Sequence, residues 1–168
     1  SKVNEVIETN ETDTKNTSIP LATAIAILDV YGKSADLIKT DGAGDSGIDW
    51  YSADENSTEI WQFKCRASTE VDDYDVKGAP SDITDISRIL DFIENYKDAA
   101  KTSNKKVQKF QFKLESNLKK KASTDEPEYY FAIKMFVGCR ELSPQTITEI
   151  ENLNARAAKI IELQTTEG

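Results

Sequence analysis

The chain has no histidine among its 168 residues. Without imidazole there is no Ser-His-Asp or Cys-His nucleophile system, and no zinc site built on histidine. Any hydrolytic chemistry falls to carboxylates, lysine and an oxygen-seeking cation such as Mg²⁺ or Mn²⁺. Cysteine is scarce too. Cys65 and Cys139 are too few for a disulfide framework, read as reduced residues of strands, and point to the cytoplasm. In that compartment the Asn-x-Ser/Thr matches at Asn10, Asn16 and Asn56 are chance. No apolar run reaches the roughly 18 residues of a membrane span, and no basic-then-apolar leader opens the chain. Its only methionine is Met135 and it opens on Ser1, so the expectation is a piece of a longer protein with further domains.

What is present suits one domain with a real core: the chain is 38% hydrophobic. The net charge is −9, which by itself argues against a polyanion partner. The charge is polarised, however. Residues 101–121 carry eight lysines against Glu115 alone, +7 net, which leaves −16 on the rest. Lys101, Lys105, Lys109 and Lys113 recur every four residues, one face of a helix, and such a row can track a phosphate backbone or simply be solvated.

Along the chain, residues 1–17 read as a flexible arm and 18–168 as a single domain. Ser18 and Pro20 open a helix that Gly32 stops. Asp41 to Gly47 holds three glycines and forms a tight loop. Ile48 to Ala53 and Thr58 to Ala67 read as two strands. In the second, Trp61, Phe63 and Cys65 share one face, and Gln62, Lys64 and Arg66 the other. An irregular acidic loop follows, then a helix with Ile83, Ile86, Ile89, Leu90 and Ile93 as its stripe. A lysine-rich helix, a buried strand at Tyr129 to Val137 and an amphipathic helix from Ser143-Pro144 complete the order. Trp50, Trp61 and the tyrosines are expected in packing, and an exposed stripe on the last helix would allow a homodimer. The order predicts an α/β layer fold with a mixed sheet, the third strand lying beside the second.

Chemistry concentrates where the glycine loop meets the first strand. Asp49 sits at that junction, and Gln62 and Lys64 are two apart on the next strand. One carboxylate, one amide oxygen and one ammonium at a sheet edge suit hydrolysis of a phosphodiester by a metal-activated water. Asp49 and Gln62 would ligate the cation, the Phe63 backbone carbonyl would add an oxygen, and Lys64 would orient the water. A second carboxylate is needed, with Asp29 on the first helix preferred and Asp45 in the loop as the alternative.

These residues resemble the Asp…(Glu/Gln)-x-Lys core of the PD-(D/E)XK nuclease superfamily. Gly44-Asp45-Ser46-Gly47-Ile48-Asp49 followed by Ile60-Trp61-Gln62-Phe63-Lys64-Cys65 is similar to the N-terminal region of the abortive-infection phage-resistance (AIPR) proteins, and Mrr-like restriction endonucleases are similar over the same core. The usual Glu or Asp is Gln62 here, which makes the site less anionic. The resemblance implies a restriction-endonuclease-like three-layer core with a mixed central sheet flanked by helices. It also implies a Mg²⁺-dependent endonuclease acting on DNA, with RNA as another substrate, in phage defence or restriction. The competing expectation is a non-catalytic module, binding nucleic acid or protein on a degenerate nuclease fold.

Overall fold

The computed structural model describes residues 18–40, 45–68, 70–95, 104–124 and 128–166. The expected arm at 1–17, the loop residues 41–44 and Lys101 lie outside them. The elements are helix α1 (Ile19–Val30), strands β1 (Ile38–Lys39), β2 (Trp50–Ala53), β3 (Ser57–Lys64) and β4 (Lys77–Gly78), helices α2 (Thr84–Glu94) and α3 (Lys105–Ala122), strands β5 (Tyr130–Val137) and β6 (Glu141–Leu142), and helix α4 (Pro144–Thr166). A short 3₁₀ turn, Val71–Tyr74, lies in the acidic segment expected to be an irregular loop, and a second, Pro80–Ile83, stands where the helix with Ile83 in its stripe was expected to open, α2 itself starting at Thr84.

The class is α/β with a mixed four-stranded sheet, in the order β1-β2-β3-β5. β1, β2 and β3 are antiparallel neighbours, whereas β5 runs parallel to β3 from Ser57↔Tyr130 to Lys64↔Val137. A parallel pair cannot be closed by a tight turn, and α2 and α3 make the crossover. The third long strand therefore lies beside the second, as the element order predicts.

Each face of the sheet is covered by helix. On one side α1 brings Ala24 and Leu28 onto Trp50 and Trp61. Ser18 caps this helix by accepting from the Leu21 N–H, and Gly32 follows its end at φ 64°. Trp61 and Phe63 stack on Phe136, so the tryptophans are packing residues as expected. On the other side Tyr51, Ala53 and Ile60 meet Ile89, Leu90 and Ile93 of α2, Phe110, Leu114 and Leu118 of α3, and Leu153 and Ile160 of α4. Of the apolar stripe of α4, Leu153 and Ile160 are buried in this core and Ile150 and Ala157 pack against it, while Ile147 stays 48% exposed.

Three local expectations need correction. β3 ends at Lys64, so Cys65 lies just beyond it, and Cys139 lies in the turn between β5 and β6; both thiols are free and half-buried. The third long strand was expected to be buried. Among the described residues it is an edge strand, half-buried along Phe131 to Val137. The two-residue β1 replaces part of what reads in sequence as a connector.

Candidate metal and phosphodiester site on the β2–β3 hairpin

The register Trp50↔Trp61 carries on by one step, so Asp49 stands opposite Gln62 on the same face of the sheet. There the backbone ladder gives way to side chains. The Asp49 N–H donates to Gln62 Oε1 at 3.0 Å. The Phe63 N–H donates to Asp49 Oδ2 at 3.0 Å. Two N–H groups that would be orphaned at the end of β2 are satisfied by this reciprocal clasp. N–H and C=O of one strand residue leave on the same side, so the Phe63 carbonyl also points toward Asp49.

The approach to Asp49 is shaped by a tight turn. Asp45 Oδ1 accepts from the Gly47 N–H at 2.9 Å, and the Asp45 carbonyl accepts from the Ile48 N–H at 3.0 Å. Ser46 (φ 56°) and Gly47 (φ 81°) both take left-handed backbone. This geometry sets Gly47 against the first turn of α2, where an added Cβ would lie 3.6 Å from the Asp85 carbonyl oxygen and 3.8 Å from Arg88 Cβ. Those are ordinary contacts, so Gly47→Ala should cost only the left-handed backbone, about 1 kcal/mol, read as a small drop in denaturant midpoint. Thr40, buried, holds the other side: its N–H donates to the Asp49 carbonyl at 3.0 Å, and its hydroxyl contacts the Ile48 and Asp49 carbonyls.

Asp49 is raised to about 6. Burial is the main cause; the Phe63 N–H opposes it, the charges of Asp45 and Asp85 add to it, and Lys39 opposes it. The Cys65 thiol is pushed up to about 11 by burial and by the neighbouring Asp49 charge. The folded protein therefore holds a proton on Asp49 between pH 3.8 and about 6 that the unfolded chain has released. Stability falls as pH rises through that window and stays lower above it. Asp49→Asn, whose carbonyl can still accept from Phe63, should be the more stable protein at pH 8 by about 1 kcal/mol, after allowance for the half-exposed position. The two should melt alike near pH 3.5.

Gln62 is only 1% exposed. Its face was right in sequence, but its depth was not: it is an interior residue rather than an open ligand. Its oxygen is engaged by Asp49, and its Nε2 is buried with no hydrogen-bond partner. Lys64, two residues on, is exposed and makes no ion pair among the described residues. Asp45 joins the Asp49 neighbourhood, as its charge effect shows. Asp29 does not. It stands near the end of α1, on the opposite face of the sheet, where it accepts from the Ser34 hydroxyl, and nearby Lys33 pairs with Glu59 at 3.5 Å. The helical carboxylate near the site is instead Asp85 of α2, paired with Arg88 at 3.0 Å. Among the described residues no group of three His, Cys, Asp or Glu is gathered closely enough to hold a metal by itself.

Lys105, Lys109 and Lys113 share the exposed side of α3, as their spacing predicts. A groove of about 860 Å³ lies elsewhere, along β5, and is lined by apolar residues such as Ile133, Met135, Leu153 and Ala157. No helix among the described residues is long and apolar enough to cross a membrane. No family model, no curated protein and no solved structure matches the chain.

Proposed function

We propose that the protein is a metal-dependent endonuclease domain that hydrolyses phosphodiester bonds of DNA, serves phage defence or restriction, and works in the cytoplasm. The observation that carries this is the Asp49–Gln62 clasp. It presents a carboxylate raised to about 6 at the end of β2, with the Lys64 ammonium on the adjoining strand. The mixed sheet between helical layers agrees with the core that the sequence resemblance implies.

The donors suit a hard cation. Asp49 Oδ1 accepts no hydrogen bond among the described residues, and the Phe63 carbonyl is on the same edge. Mg²⁺ commonly takes one or two carboxylates and keeps several waters, so a three-carboxylate cage is not required. Asp45 and Asp85 stand close enough to add charge through such waters. A bound Mg²⁺ or Mn²⁺ would polarise the phosphate and lower the pKa of its water. Gln62 acts here as a positioning residue: its oxygen fixes the Asp49 backbone, which aims the carboxylate. Its unpartnered, buried Nε2 calls for an oxygen acceptor, which an ordered internal water would supply. Lys64 holds the attacking water and offsets charge on the phosphoryl oxygens. The α3 lysines guide the nucleic-acid backbone.

The burial of Gln62 favours a second reading. In it the clasp only fastens two strands, and the domain is a non-catalytic module that binds nucleic acid or protein. Plasmid DNA incubated with Mg²⁺ or Mn²⁺ separates the two. Nicked or linear product, abolished by a chelator, is expected. Plasmid and single-stranded circular DNA that both stay intact with either cation, from a preparation that still binds DNA, establish the non-catalytic module. Calorimetry with Mn²⁺ adds a pH test. The cation needs the Asp49 proton gone, so affinity should fall as pH drops through about 6. Affinity that ignores pH between 5 and 8 would place the cation elsewhere.

A further inference from the structure

α3 buries Val107, Phe110, Leu114 and Leu118 against the core. In sequence Phe112 reads as one more member of that stripe. The structure turns it outward: Phe112 is 76% exposed. It sits in a shallow groove with Lys105, Lys109, Lys113, Ser116 and Asn117. Lys105, Lys109 and Lys113 make no ion pair among the described residues, whereas Lys119 and Lys120 are paired with Glu115 and Glu55. Thus three cations without an ion pair, of which Lys113 also acts on the Asp54 charge, each about 6 Å further along the axis than the last, surround one uncovered aromatic ring on a protein of net charge −9.

We propose that this face of α3 docks a single-stranded stretch of nucleic acid, with the lysines on successive phosphates and Phe112 stacked on a base. Charge complementarity selects a polyanion for a helix that carries seven lysines and one glutamate. The ring selects among polyanions. In a duplex each base face is covered by its neighbours, whereas an unpaired base offers a π-face to an aromatic side chain, whatever its identity. The lysine face is the side of α3 turned away from the sheet: Phe110 meets the Tyr51 ring on the buried side, whereas Phe112 is exposed. This deepens the nuclease proposal by naming the form of the substrate, and its readout is binding, which needs no cleavage.

Fluorescence anisotropy of a labelled oligothymidylate with the full chain tests it. Wild type should bind with a log–log salt slope of about −2, the value for three phosphate contacts on a single strand. Phe112→Ala should weaken binding about tenfold, and Phe112→Tyr should restore it. The ring is exposed, so neither change should alter the melting temperature. Equal affinity of Phe112→Ala and wild type overturns the proposal. So does equal affinity for a duplex of the same length, or competition by polyglutamate as strong as by oligothymidylate. Phe112-dependent binding with no cleavage sustains this docking surface and sinks the nuclease. Cleavage indifferent to Phe112→Ala does the reverse.

Discussion

Gln62→Glu is expected to destabilise the protein by about 3–5 kcal/mol at pH 8 in the absence of divalent cations, the usual cost of an uncompensated buried charge. The site is 1% exposed and faces Asp49, whose own carboxyl is already raised to about 6. Glutamate keeps an oxygen for the Asp49 N–H, so the change in charge dominates. Both carboxyls would hold protons more tightly in the folded chain than in the unfolded one. The loss should therefore grow as pH rises above about 4 and nearly vanish near pH 3.5. Mn²⁺ should recover much of it by binding only the folded pair. Thermal melts at pH 8 with and without Mn²⁺ are the measurement. A variant whose melting temperature ignores Mn²⁺ would show that the hairpin holds no cation.

Lys64→Ala carries the largest effect on activity. An ammonium that positions water and offsets charge in the transition state is worth about 10²- to 10⁴-fold in rate. The side chain is exposed and unpaired among the described residues, so stability should move by no more than about 0.5 kcal/mol. Cleavage in the presence of Mg²⁺ should fall by at least a hundredfold while the melt stays put. Cleavage that survives unchanged in this variant removes Lys64, and with it the proposed chemistry of the hairpin.

Much of the scaffold was legible in particular residues. Ser18 and Gly32 bracket α1 because a hydroxyl cap and a left-handed stop are local chemistry. The alternation from Trp61 to Lys64 assigned faces correctly, since Trp61 and Phe63 meet the α1 side and Gln62 stands across from Asp49. Period two assigns a face but not a depth. Gln62 is sealed from solvent, and nothing within β3 announces that. β5 misled for the converse reason: a continuous apolar run reads as interior, yet its position at the rim is decided by pairing. Asp85 was invisible because an acidic residue in a first helical turn is ordinary. Only the left-handed pair Ser46 and Gly47 carries the loop to it. Phe112 and Phe110 differ by two positions, and a helix separates such residues onto different sides.

The pairing of β5 with β3 has a consequence for how the molecule assembles. Asp49, Gln62 and Lys64 all belong to one local hairpin, so their backbone contacts close a short loop. β5 joins residue 57 to residue 130 and must wait for a long loop to close. The hairpin can take shape early, but Gln62 leaves water only when the crossover docks. A nascent chain halted before residue 84, with neither crossover helix made, would present the three groups to water. Docking of the crossover, which brings Asp85 to the hairpin, is then the event that tunes the carboxylate.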